Sequence, residues 1–182
     1  MNKPAIFLDR DDVLVAAVNT PDGQSRPPNY RYEMLLLPGV LRACEKLARR
    51  YPLIVVTNQA GVARGYVQQD EVEAMHVMLK KWLPLTAIYT CYHDTDDGCD
   101  CRKPKPGMLV QAALDLQIAL TQSIMVGDRL TDVEAGRAAG CRTVRIGGPD
   151  PFADHSAPSL FDAVPWILKQ GMDSHEACRP EG

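Results

Sequence analysis

Asp9 and Asp11 stand two residues apart where the apolar run Ala5–Leu8 ends, in the segment AIFLDRDD. Two carboxylates so spaced suit phosphoryl transfer, which needs a nucleophile, a proton donor for the leaving oxygen and positive charge against the equatorial oxygens. Asp9 can be the nucleophile and Asp11 the acid and base. Residues two apart on an extended chain share a face, so both carboxylates are expected to meet one substrate while Arg10 points elsewhere. Two acids alone repel a phosphate dianion, so the site needs a cation. Asp128, just past the apolar run Ile124–Val126, offers the further oxygen ligand that would hold Mg²⁺. Thr57, past the run Leu53–Val56, would hydrogen-bond a phosphate oxygen. Lys103 would put a point charge on the same group and hold the nucleophile as a carboxylate. Asp132, in the first helical turn, is expected to brace the Asp128 loop as a helix cap or as a group supporting the metal ligands from behind, ranking below Asp128. Singly these residues have ordinary explanations, since Asp is common in turns after strands and Lys on surfaces. Their ordered conjunction is specific.

A second cluster has different chemistry. Cys91 and His93 are two apart, as are Cys99 and Cys101, and the set of three thiols and one imidazole suits tetrahedral zinc. With all four positions filled by protein there is no open coordination site, so this metal is expected to stiffen a loop and to do no hydrolysis. Fixing Cys101 would also fix Arg102 and Lys103 beside it. Free buried thiols, or a strained disulfide between Cys99 and Cys101, are the ordinary alternatives. Cys44 and Cys141 read as core residues, and His76 and His155, without ligand partners nearby in sequence, as packing or surface residues.

The elements that must position these groups follow from hydrophobic patterning. Strand-length apolar runs at Ala5–Leu8, Leu53–Val56, Ala87–Tyr92, Ile124–Val126 and Thr143–Ile146 alternate with helical patterns at Val40–Arg50, Asp70–Leu83, Met108–Leu116, Asp132–Ala139 and Leu160–Lys169. Five strands alternating with helices predict an α/β fold, an open parallel sheet with helices on both faces. Functional groups in such a sheet gather past the carboxyl ends of the strands, where the polar residues above fall. The stretch Ala16–Tyr32, rich in Pro, Asn and Gly, reads as irregular. The 182 residues, 46% apolar, suit one domain over residues 1–169, with 170–182, including Cys178, as a disordered tail. Lys and Arg number 20 against 23 acids, a net charge of −3 that supplies no basic field for nucleic acid. The apolar run before Asp9 is too short for a signal peptide or membrane span, so a cytoplasmic protein without a membrane partner is expected.

The segments FLDRD (7–11), VVTNQAGVARG (55–65), CDCRKPKPGM (99–108) and MVGDRLTD (125–132) resemble the haloacid dehalogenase (HAD) superfamily, and within it the D-glycero-D-manno-heptose 1,7-bisphosphate 7-phosphatases. The resemblance implies a Rossmann-like domain in which Asp9 becomes phosphorylated and Asp11 handles protons. It further implies Mg²⁺ bound by Asp9, the Asp11 backbone carbonyl and Asp128, with Thr57 and Lys103 stabilising the transferred group. Asn58, Gln59, Arg102 and Arg129 would recognise a small sugar phosphate, a heptose bisphosphate on the route to nucleotide-activated heptose for surface glycans such as lipopolysaccharide. Larger relatives insert a cap domain; this chain has no room for one, so loops must wall the pocket, and a monomer is expected. The zinc loop is also similar to histidinol-phosphate phosphatases, which gives an alternative substrate. The chain departs from the family pattern at Asp12, where Gly is usual, and over Ala16–Thr20. Asp12 must accept an unusual backbone dihedral or point outward; a zinc-stabilised binding module without activity is the reading this departure leaves open.

Overall fold

The computed structural model describes residues 2–170. In chain order it contains β1 (Ile6–Leu8), β2 (Val18–Asn19), β3 (Ser25–Arg26), α1 (Val40–Ala48), β4 (Leu53–Asn58), α2 (Gln69–Trp82), β5 (Ala87–Cys91), α3 (Gly107–Leu116), β6 (Ile124–Gly127), α4 (Leu130–Ala138), β7 (Arg142–Ile146), β8 (His155–Ala157) and α5 (Leu160–Gln170). Six strands form one parallel sheet in the order β5-β4-β1-β6-β7-β8. β1 and β6 are buried on both faces, and β4 up to its last residue, which is why they read as unbroken apolar runs. Alternate side chains serve two cores. Ile6, Leu8, Val55 and Val126 meet α1, α2 and α5 on one face, while Phe7, Ile54, Val56 and Met125 meet α3 and α4 on the other. This is the Rossmann-like α/β architecture expected, and the described residues include no inserted cap domain.

Two features differ from the expectation of five strands. β8 adds a sixth, a three-residue edge strand whose pairing with β7 supplies what its sequence lacks in periodicity. Within the stretch read as irregular, β2 and β3 pair as a two-residue hairpin around Pro21, Asp22 and Gly23, the last at φ 79°. α5 reaches Gln170, one residue into the expected tail, and 171–182 with Cys178 lie outside the described residues.

The strand order fixes where the site forms. From β1 the chain builds outward to β4 and β5, then returns past β1 to build β6, β7 and β8 on the other side. Direction reverses at β1, and the crevice at such a switch point opens at the carboxyl ends of β1, β4 and β6. Those ends carry Asp9, Thr57 and Asn58, and Asp128.

Candidate active site

Lys103 organises the centre. Its side chain is almost fully buried, and its ammonium lies 2.8 Å from Asp9 Oδ1 and 2.6 Å from Asp132 Oδ1 while donating to the Val56 carbonyl at 2.8 Å. Burial alone would push this ammonium towards its neutral form, but the two carboxylates outweigh it and hold the pKa above the usual lysine value. The backbone of Lys103 is pinned as well: the Asn58 amide donates to its carbonyl and accepts from its N–H, both at 3.1 Å. Asn58, expected to touch substrate, therefore spends both polar atoms on placing Lys103.

One ligand atom from each of Asp9, Asp128 and Asp132 lies within 4.8 Å of the other two. Among the described residues, the buried Oδ1 atoms of these three aspartates have no hydrogen-bond partner. The Lys103 ammonium lies beside two of them as an ion pair, and Asp128 has only Arg129 Nε at 3.8 Å from its other oxygen. Burial, then Asp9 and Asp132, push the Asp128 carboxyl up to about 7. Three crowded carboxylates with unsatisfied oxygens fit a hard divalent cation, which prefers oxygen ligands. Asp132 fills both of the roles its position suggested. Its Oδ2 does accept from the Arg129 N–H at 3.0 Å, capping α4, while its Oδ1 meets Lys103. Gly127 makes room for it, since a Cβ there would overlap the Asp132 side chain.

Asp9 and Asp11 line one cavity, as expected, and Asp11 is held in place by its neighbours. Arg10 does point away from the cavity, fully buried, but folds back on Asp11: Nε donates to Oδ1 at 2.9 Å and Nη2 to Oδ2 at 3.1 Å. Gln59 also donates to Asp11 Oδ2 at 2.9 Å and to Thr57 Oγ1 at 2.8 Å. Its amide is thus engaged inside the protein. The chain turns at Asp12 through φ 56°, the left-handed region, and the Asp12 carboxylate accepts the Ala17 N–H at 3.1 Å. Asp tolerates that region better than most residues because it can bond locally. The departure from Gly is accommodated.

A cavity of about 440 Å³ opens over Asp9 and Asp11 and is lined by Arg26, Asn29, Asn58, Arg64, Arg102 and Arg129 among others. Loops form its wall. The β2–β3 hairpin brings Arg26, which pairs with Glu33 at 2.6 Å. Arg64 pairs with Asp94 at 2.5 Å, joining the loop after β4 to the Cys/His loop. Neither arginine stood out as a site residue in the sequence: Arg26 lies in the stretch read as irregular, and Arg64 in a matched segment without a role of its own.

Cys91, His93, Cys99 and Cys101 converge at the end of β5. Cys91 Sγ is 3.7 Å from Cys99 Sγ and 3.6 Å from His93 Nδ1; Cys101 Sγ is 3.5 Å from Cys99 Sγ and 3.3 Å from His93 Nδ1. A tetrahedron with metal–sulfur bonds of about 2.3 Å has sulfur–sulfur edges of about 3.8 Å. The group can hold a metal ion, and the sulfur separations are too long for the alternative disulfide, whose bond is about 2.05 Å. Arg102 donates to the His93 carbonyl at 3.2 Å, so this loop leads directly into Lys103.

The fold and the carboxylate–lysine centre define a HAD-like hydrolase, and a family model described as HAD-hydrolase-like matches residues 100–148. The chain is 38% identical to the D-glycero-beta-D-manno-heptose-1,7-bisphosphate 7-phosphatase of Haemophilus influenzae, covering 93% of this chain and 98% of that one. It is 34% identical to the protein of the same name from Escherichia coli K12, over 98% and 95% of the two chains. A crystal structure of D,D-heptose 1,7-bisphosphate phosphatase from B. bronchiseptica, complexed with magnesium and phosphate, matches with a TM-score of 0.78 at 29% identity, covering 92% of this chain and 99% of that one. The chain belongs to the D-glycero-beta-D-manno-heptose-1,7-bisphosphate 7-phosphatase family of HAD hydrolases.

Proposed function

We propose that this protein is a Mg²⁺-dependent phosphatase that removes the 7-phosphate of D-glycero-D-manno-heptose 1,7-bisphosphate, leaving the 1-phosphate, in the synthesis of nucleotide-activated heptose. The observation that carries this reading is the buried Asp9–Lys103–Asp132 ion-pair chain beside Asp128, at the floor of a cavity ringed by arginines. The names of its relatives favour the heptose ester over histidinol phosphate.

An Asp9 carboxylate oxygen attacks phosphorus, the P–O bond to the sugar breaks, and Asp11 gives its proton to the departing sugar oxygen. Asp11 then takes a proton from water, the water oxygen attacks the aspartyl phosphate, and phosphate leaves with Asp9 regenerated. Lys103 and the Thr57 hydroxyl stabilise charge on the transferred group. Asp9, Asp128 and the Asp11 carbonyl would hold Mg²⁺, with Asp132 near enough to orient it, and the cation supplies charge neutralisation for the phosphoryl oxygens. Arg102 and Arg129 face the cavity and would recognise the sugar phosphate, whereas Asn58 and Gln59 act by placing Lys103 and Asp11. Zinc is the metal we assign to the Cys91, His93, Cys99 and Cys101 group, as a structural ion. Free thiols at these positions suit a reducing cytoplasm, and among the described residues no helix is long and apolar enough to cross a membrane. All residues of the centre come from one chain, so the proposed chemistry needs no second copy.

The test is phosphate release from heptose 1,7-bisphosphate with and without Mg²⁺, in the parent and in Asp9→Asn. Activity that needs Mg²⁺ and disappears in the variant is expected. Parent protein without turnover, or turnover surviving the substitution, contradicts the reading and favours a binding module.

A further inference from the structure

A fully buried guanidinium is costly unless its donors are used, and Arg10 uses them in a closed network that reaches the Asp11 carboxylate and the Thr57 hydroxyl. Its Nε and Nη2 form a fork on the two oxygens of Asp11, and Nη2 also donates to Gln59 Oε1 at 3.1 Å. Nη1 faces His76 Nε2, from α2, at 3.4 Å. Gln59 closes the circuit by donating to Asp11 Oδ2 and to Thr57 Oγ1. Burial and the neighbouring Arg10 charge lower the His76 pKa to about 3, so the imidazole is neutral and can accept from the guanidinium without repelling it. A planar fork fixes the plane of a carboxylate, which a single-point cation does not. Arg10 is thus oriented from behind by one helix, and it orients Asp11 in front.

We propose that Arg10, seated by His76 and joined to Thr57 through Gln59, is the positioning residue of the proton-transfer step, setting the angle at which Asp11 meets the leaving oxygen. The proposal rests on the role given to Asp11 above. Arg10 touches neither substrate nor cation; it acts through Asp11. Its effect belongs to the step that needs a proton, and little of it to substrate binding.

Arg10→Lys keeps the charge and removes the fork, and His76→Leu keeps the fork and removes its seat. On heptose 1,7-bisphosphate, both are expected to lower kcat, Arg10→Lys by about tenfold or more, with KM within about twofold, since a positioned acid contributes about a hundredfold or more. His76→Gln, which can still accept from Arg10, is expected to recover most of the loss. On 4-nitrophenyl phosphate, whose leaving group departs without a proton, the first-turnover burst of nitrophenolate, which reports phosphorylation of Asp9, is expected to slow by less than about threefold in Arg10→Lys. An equal loss in the first-turnover rate on the two esters, a rise in KM that accounts for the loss, or kcat unchanged in both Arg10→Lys and His76→Leu would overturn the proposal. If Arg10→Lys does not fold, the same two-ester comparison is made with His76→Leu and Gln59→Ala. A parent without activity on heptose bisphosphate would instead refute the underlying reading, and this proposal with it.

Discussion

At the residue scale, the site is governed by where buried charges find partners. Asp12 illustrates a local cost that is mostly offset: a non-glycine residue at φ 56° is strained, but its carboxylate caps the Ala17 N–H. Asp12→Gly relieves the first and loses the second, so its stability to urea should stay within ~1 kcal/mol of the parent. Asp12→Ala keeps the strain, loses the bond, and should be less stable by ~1–2 kcal/mol; a stable Ala variant would contradict this account of the turn. His76 gives a pH dependence of definite sign. Its folded pKa of about 3 lies below the ordinary 6.5, so its contribution is complete above 6.5 and is lost as pH falls, when the unfolded chain takes up a proton the folded one refuses. Between pH 7 and pH 5 this amounts to up to about 2 kcal/mol, and His76→Gln should lose correspondingly less stability over that range in urea unfolding. Coincident slopes would contradict it. Much at this scale was legible: Asp9, Asp11, Thr57, Lys103 and Asp128 stand out because phosphoryl transfer needs those types in that order. The fork of Arg10 on Asp11, the engaged amides of Asn58 and Gln59, and the approach of Asp132 to Lys103 were not. Spacing along a chain does not encode which way a side chain turns once the strand has ended.

At the element scale, long apolar strands and amphipathic helices were readable to within a few residues, because burial on a parallel sheet imposes its pattern on the sequence. β8 (HSA) and the β2–β3 hairpin (VN and SR) were not, since these short strands carry no apolar run and exist through pairing. Two predictions belong here. The loop from β5 to Lys103 is braced by the Cys/His group and by Lys105, which donates to the Cys99 carbonyl at 2.8 Å. Cys101→Ser should lower bound zinc from about one equivalent, the melting temperature and the phosphatase rate together; a variant that loses zinc but keeps its rate would separate the loop from catalysis. The turn from β6 into α4 depends on Gly127. Gly127→Ala should displace Asp132 from Lys103 and cost ~2 kcal/mol or more in chemical denaturation. A variant as stable as the parent would show that Asp132 is free to move.

At the scale of the whole molecule, the sheet brings three strand ends to one edge and the loops supply the cavity wall. The chain carries a net charge of −3, yet Arg26, Arg64, Arg102 and Arg129 line one cavity, so its charge is sorted for a small anionic ester. Everything proposed for the site converges on one substrate class, and the sharpest measurement is a comparison of kcat/KM for D-glycero-D-manno-heptose 1,7-bisphosphate and histidinol phosphate, side by side with Mg²⁺ present. The account predicts that the heptose ester is turned over faster by at least about a hundredfold, ~3 kcal/mol, because Arg102 and Arg129 at the cavity can meet a second phosphate that histidinol phosphate lacks. Histidinol phosphate hydrolysed at an equal or greater rate would contradict it.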